Sequence, residues 1–228
     1  MNVKKVYPLF LLFVFLAFWV WAAINPLYRD GWLLENYLVF IFVPIILLTW
    51  KYFRLSNISY TLIAVFMILH VIGSHYTYAQ VPFGYTLQSF FGSDRNMYDR
   101  LVHFGFGLLL AYPIREMFLR VAKVKGIWGY YLPVDLTLAF SAVYEIIEWG
   151  AAATVDPQAG LAFLGSQGDI WDAQKDMLMA GIGALIAMFV TMLINFSLNK
   201  SFKRDIKDGF KVKTRPLGEN KIFKFIRN

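Results

Sequence analysis

An all-α membrane bundle of six transmembrane helices, with both termini cytoplasmic, is the fold this sequence predicts. Three observations predict it. The 228 residues are 58% hydrophobic and only 16% charged, where a soluble domain is about half apolar and roughly a quarter charged. Six apolar stretches approach the ~20 residues needed to cross a bilayer core. The basic residues fall on alternate sides of those stretches, as the positive-inside rule requires.

The six stretches are 7–24, 33–50, 58–75, 99–118, 130–152 and 174–198. The first is longer than the ~7–15-residue core of a secretory signal, which predicts an uncleaved helix. The fourth and fifth carry acids and His103, so hydropathy marks them less clearly than the others. With both termini inside, eighteen Lys/Arg lie in cytoplasmic segments and four (Arg29, Arg95, Arg100, Lys175) lie outside. All seven tryptophans fall near predicted span ends, where indole favours the headgroup region. Gly107 and Ala111, Ala180 and Ala184, and Gly183 and Ala187 are small-xxx-small pairs that predict close helix packing.

The chain divides into a membrane domain over 1–198 and a basic juxtamembrane tail over 199–228. The tail holds ten Lys/Arg against Asp205, Asp208 and Glu219, which accounts for the whole net charge of +7. A polybasic stretch directly after a membrane helix points to anionic lipid headgroups as its partner, and not to nucleic acid. The absence of cysteine excludes disulfides, thiol nucleophiles and thiolate metal sites.

Inside this frame the ionisable residues converge on the outer level. The third helix ends there at His75, with His70 deeper. The fourth begins with Asp99 and His103, four apart and so on one face. The fifth brings Glu145 and Glu148, three apart. The sixth is entered through Asp169, Asp172 and Asp176, which form one stripe if the helix starts by Asp169. Segment 76–98 reads as an aromatic outer loop that either covers the cluster or lies in the membrane interface. Ionisable groups in a membrane are costly, so their convergence marks a functional site.

Closely placed carboxylates cannot all ionise in a low-dielectric site without neutralisation. A divalent metal ion, protons, or Arg95, Arg100 and Lys175 would each serve. Candidate metal ligands are His75, Asp99, His103, Glu145, Glu148, Asp169, Asp172 and Asp176. Carboxylates with imidazole on facing bundle helices build metal sites elsewhere, and an oxygen-rich set suits Mg, Mn, Ca or Fe as well as zinc. As catalytic groups, His103 or Glu148 would act as base, beside Asp99 and Glu145.

Three segments carry a family resemblance: Tyr98-Asp99-Arg100-x-x-His103-Phe104-x-Phe106-Gly107, Tyr144-Glu145-x-x-Glu148-Trp149, and Gly165-Ser166-Gln167-Gly168-Asp169-x-Trp171-Asp172-Ala173-Gln174-x-Asp176. They resemble the YjdF-type bacterial inner-membrane proteins over about residues 5–198. The resemblance implies a multi-pass protein of the bacterial cytoplasmic membrane and brings no biochemical activity with it. The chain is also similar to VanZ-like membrane proteins in Asp99/His103, Glu145 and the acids ahead of Gly181 and Gly183, although Glu148 stands where that group commonly has Gln. VanZ-like proteins are associated with glycopeptide (teicoplanin) resistance, which implies a role in the cell envelope. Three functions remain open on the sequence: a metal-dependent hydrolase or transferase acting on a lipid-linked envelope substrate, a non-catalytic envelope binding protein, and an ion-coupled transporter.

Overall fold

The computed structural model describes residues 3–154, 160 and 164–211. Asp156, Pro157 and the tail beyond Lys211 lie outside the described residues. The described residues are helical, with no strand among them. The helices are α1 Val3–Ala23, α2 Arg29–Thr49, α3 Asn57–Tyr76, α4 Pro82–Phe91, α5 Tyr98–Arg120, α6 Trp128–Ala152, α7 Asp172–Leu198 and α8 Phe202–Gly209.

Four of them, α1, α2, α3 and α7, are long and apolar enough to cross a membrane by length and composition. Helices α5 and α6 are of similar length, 23 and 25 residues, but carry five of the fifteen acids. The bundle has the polarity of a protein whose solvent is lipid. Phe40, Ile41 and Leu48 on α2, and Leu185, Phe189 and Leu198 on α7, face outward. Glu35, Asn36, His70, Arg100, His103 and Asp176 are buried. In hydrocarbon the buried polar groups must satisfy one another.

Helix α5 is the hub. It packs most extensively on α7 and also on α3 and α6, while α1 packs on α3 and α7 on α6. One apolar core joins α1, α2, α3 and α5 around Phe66, Met67, Val71 and Val102. A second joins α5, α6 and α7 around Ala111, Tyr130, Val134, Ala184 and Met188. The small residues explain why α5 and α7 come so near. A Cβ on Gly107 would strike the backbone of Ala180 and Ala184, and one on Gly183 would strike the backbone of Phe104 and Leu108. The two helices therefore meet peptide against peptide.

Local signals set the ends. Ser56 caps α3 by accepting from the Ser59 N–H at 3.2 Å, the usual N-cap device. The segment expected to be an aromatic loop contains α4, started by Pro82 and closed by Gly92 in the left-handed region. Its Phe83, Phe90 and Phe91 are exposed. The condition for an Asp169–Asp172–Asp176 stripe is not met: α7 begins at Asp172, and Asp169 lies in the preceding turn, its carboxylate accepting from the Trp171 N–H at 3.1 Å.

Candidate functional site

The acidic end of the bundle holds two linked groups of polar side chains. The first lies between α5, α6 and α7. One ligand atom from each of Asp99, His103 and Asp176 falls within 4.8 Å of the others. The His103 Nε2 is 3.5 Å from an Asp99 oxygen and 3.6 Å from Oε1 of Glu145. The four residues come from three helices because Asp99 and His103 share a face of α5, and the α5–α7 seam brings Asp176 alongside.

Arginines neutralise part of this charge. Arg100 is buried and pairs with Asp169 at 3.1 Å, Asp172 at 2.6 Å, and Asp176. Arg95 pairs with Asp172 and lies 3.6 Å from Asp99. Lys175 pairs with Asp169 at 2.7 Å, and that ammonium holds the Asp169 carboxyl below its usual range. The segment before α7 is docked by a reciprocal amide clamp. Gln167 accepts from the Asn96 N–H at 2.9 Å and donates to the Asn96 carbonyl at 3.3 Å.

The pairing is unequal. Asp169 and Asp172 are committed to cations, whereas Oε1 of Glu145 and Oδ1 of Asp176 are buried with no hydrogen-bond partner. A buried, unsatisfied polar atom costs about 1–3 kcal/mol, more when charged. Two such oxygens beside an imidazole nitrogen mark where a further positive group fits. Metal–ligand distances of about 2.0–2.2 Å put neighbouring ligand atoms roughly 3–4 Å apart, the range His103 keeps to its two carboxylates.

The second group centres on Glu35, which the sequence reading did not single out. Glu35 is buried on α2 and accepts from the Tyr144 hydroxyl at 3.0 Å. Glu148 lies in the electrostatic reach of Glu35, Asp99 and Glu145, so it bridges the two groups. His70 fixes the backbone here. Its Nε2 is 3.2 Å from the Glu35 carbonyl, which can only accept, so Nε2 carries the proton. Its Nδ1 then accepts from the Tyr78 hydroxyl at 2.5 Å. Burial pushes the Tyr78 phenol well above its usual range, which keeps it a donor. Tyr78 and its neighbour Thr77 both sit at positive φ, 42° and 58°, a conformation that non-glycine residues rarely adopt.

Among the expected ligands, Asp99, His103, Asp176 and Glu145 come together, with Glu148 close by. His75 does not join them. Its Nδ1 donates to the Ala22 carbonyl at 3.0 Å and its ring stacks on Trp21 with centroids 4.6 Å apart. Five residues along a helix turn through about 140°, so His70 and His75 cannot face the same neighbour. The signal for Glu35 was present as an acid beside Asn36 within an apolar span.

Two comparisons bear on this geometry. The profile of a family described as "Predicted membrane protein (DUF2238)" matches residues 7–196. The chain is 43% identical over 167 residues to the inner membrane protein YjdF of Escherichia coli (strain K12), covering 73% of this chain and 79% of that protein. No solved structure matches.

Proposed function

Because the chain belongs to the DUF2238 family of multi-pass bacterial inner-membrane proteins, we propose that its acidic end is a divalent-cation site opening on the extracytoplasmic face. Asp99, His103, Asp176 and Glu145 are the ligands of this proposal. The observation that carries it is the pair of orphaned, buried carboxylate oxygens, on Glu145 and Asp176, next to the Nε2 of His103. Seven carboxylates (Glu35, Asp99, Glu145, Glu148, Asp169, Asp172, Asp176) face three cations, Arg95, Arg100 and Lys175. Charge excess of that size in a low-dielectric site calls for a bound cation or for protons.

The same reading has all of α1, α2, α3, α5, α6 and α7 crossing the bilayer with both termini cytoplasmic, residues 1–198 forming the membrane domain. The excess of Lys/Arg at the tail end supports this. The tail from residue 199 then lies against anionic lipid headgroups. In α8, Phe202 and Ile206 pack on the bundle, leaving Lys203, Arg204 and Lys207 on the remaining faces.

A second observation favours catalysis at this site. Ligation alone does not require Glu35, Tyr144 and Glu148, yet the Tyr144 hydroxyl donates to Glu35 at 3.0 Å and Glu148 lies one turn along α6 from Tyr144. Exposed Phe90, Phe91, Trp149 and Trp171 ring the same end at the level where aromatic side chains meet headgroups. A metal-dependent hydrolase or transferase acting on a lipid-linked envelope substrate fits both features, with Glu148 as base.

Metal analysis of the purified protein, after dialysis against buffered Mn, Mg and Zn, tests the cation site. One equivalent per chain is expected in the wild type and none in His103→Ala or Asp176→Asn. Wild-type protein holding no more metal than those variants would sink the proposal.

A further inference from the structure

A groove opens at the opposite, tail end of the bundle. Helices α1 and α2 both lean on α3 and meet one another toward the acidic end, where the Trp19 indole donates to Asn36 at 2.7 Å. Between them lies an apolar cavity of about 230 Å³, lined by Leu12, Phe15, Ile46, Trp50, Tyr60 and Ala64 among others. Its polar rim is the turn between α2 and α3. The Trp50 and Tyr60 rings lie 5.1 Å apart, and the Arg54 guanidinium sits 4.8 Å above the Trp50 ring.

Arg54 is the unusual member of that rim. Its Nη2 is buried with no hydrogen-bond partner. The neighbouring carboxylate, Glu116, is already committed. It accepts from the Ser56 N–H at 2.9 Å, the Ser59 hydroxyl at 2.5 Å and Arg120 at 2.5 Å. Among the described residues no ion pair reaches Arg54, and the exposed Lys51 adds a second positive charge nearby. An apolar slot that opens beside an uncompensated guanidinium has the charge and polarity pattern of an amphiphile with an anionic head.

We propose that this groove binds an anionic glycerophospholipid, with an acyl chain between α1 and α2 and the phosphate on Arg54. Trp50 and Tyr60 mark the boundary between chain and headgroup, the position such rings favour. Arginine suits this place better than lysine, because its planar fork bonds a phosphate through two nitrogens while stacking on an aromatic face. The inference is independent of the cation site and concerns the other end of the molecule.

Native mass spectrometry of the full chain in detergent, titrated with phosphatidylglycerol or phosphatidylcholine, tests it. Wild-type protein should retain phosphatidylglycerol about fivefold better than phosphatidylcholine, the preference expected of one basic contact at a headgroup. Arg54→Gln should sharply reduce that preference, whereas Arg29→Gln at the acidic end should keep it. Ala64→Phe, which fills the groove, should reduce retention of both lipids. Equal retention of the two lipids by the wild type would overturn the proposal. So would a preference that Arg54→Gln leaves unchanged, or one that disappears with Arg29→Gln instead. If Ala64→Phe does not fold, the comparison of Arg54→Gln with wild type decides alone.

Discussion

Carboxylates at the two ends of the bundle are treated differently. At the tail end Glu116 has a backbone N–H, a serine hydroxyl and Arg120 around its two oxygens. At the acidic end Glu145 and Asp176 each leave an oxygen bare. The contrast separates two uses of an acid. Glu116 ties α5 to the start of α3, and its bonding capacity is used up in doing so. Glu145 and Asp176 keep capacity in reserve, which a purely structural acid has no reason to do.

Arg100→Met should have the largest effect. It removes the buried partner of Asp169, Asp172 and Asp176, and breaking such a pair from one side costs about 3–5 kcal/mol. A lower thermal midpoint reflecting a stability loss of that size, partly restored by added divalent cation, would sharpen the contrast. An unchanged midpoint would show that the acids are already balanced without Arg100. Glu116→Gln should cost less, about 2 kcal/mol for weakened charged hydrogen bonds, and leave metal content untouched. Loss of metal in Glu116→Gln would break the distinction between the two ends.

The smallest expected effect concerns Asp169. Its pKa is depressed in the folded chain by Lys175, so its contribution is present above the unfolded carboxyl value of about 3.9 and fades as pH falls through the lower folded value. Hydrogen exchange of residues 164–171 should therefore speed up selectively as pH drops below about 4, after correction for the intrinsic rate. Uniform protection across that range would remove Asp169 from the docking of this segment.

Much of the framework was legible in the chain. Helix boundaries lie within about four residues of the hydropathy reading because apolar runs and their flanks carry that information directly. The small-residue pairs anticipated the α5–α7 seam, since spacing of four places them on one face. Asp99, His103, Glu145 and Asp176 could be grouped by level alone. Level, however, does not give azimuth. His75 was grouped with them by depth, although its side of α3 faces α1. Glu35 escaped notice for the converse reason. It sits on a helix with little packing against its neighbours, and only the tertiary arrangement brings Tyr144 to it. Helix α4 was hidden because an amphipathic ten-residue helix has no span-length signal, though Pro82 and Gly92 bracketed it.

Where α5 and α7 cross at Gly107 and Gly183, no side chain stands between the two main chains. Rotamer adjustment, the ordinary source of give in a protein interior, is therefore missing at that crossing. The seam acts as a gauge block: it sets the approach of the two backbones that carry Asp176, Asp99 and His103 by the thickness of peptide groups. An occupant of that trio must match a gap already cut to size.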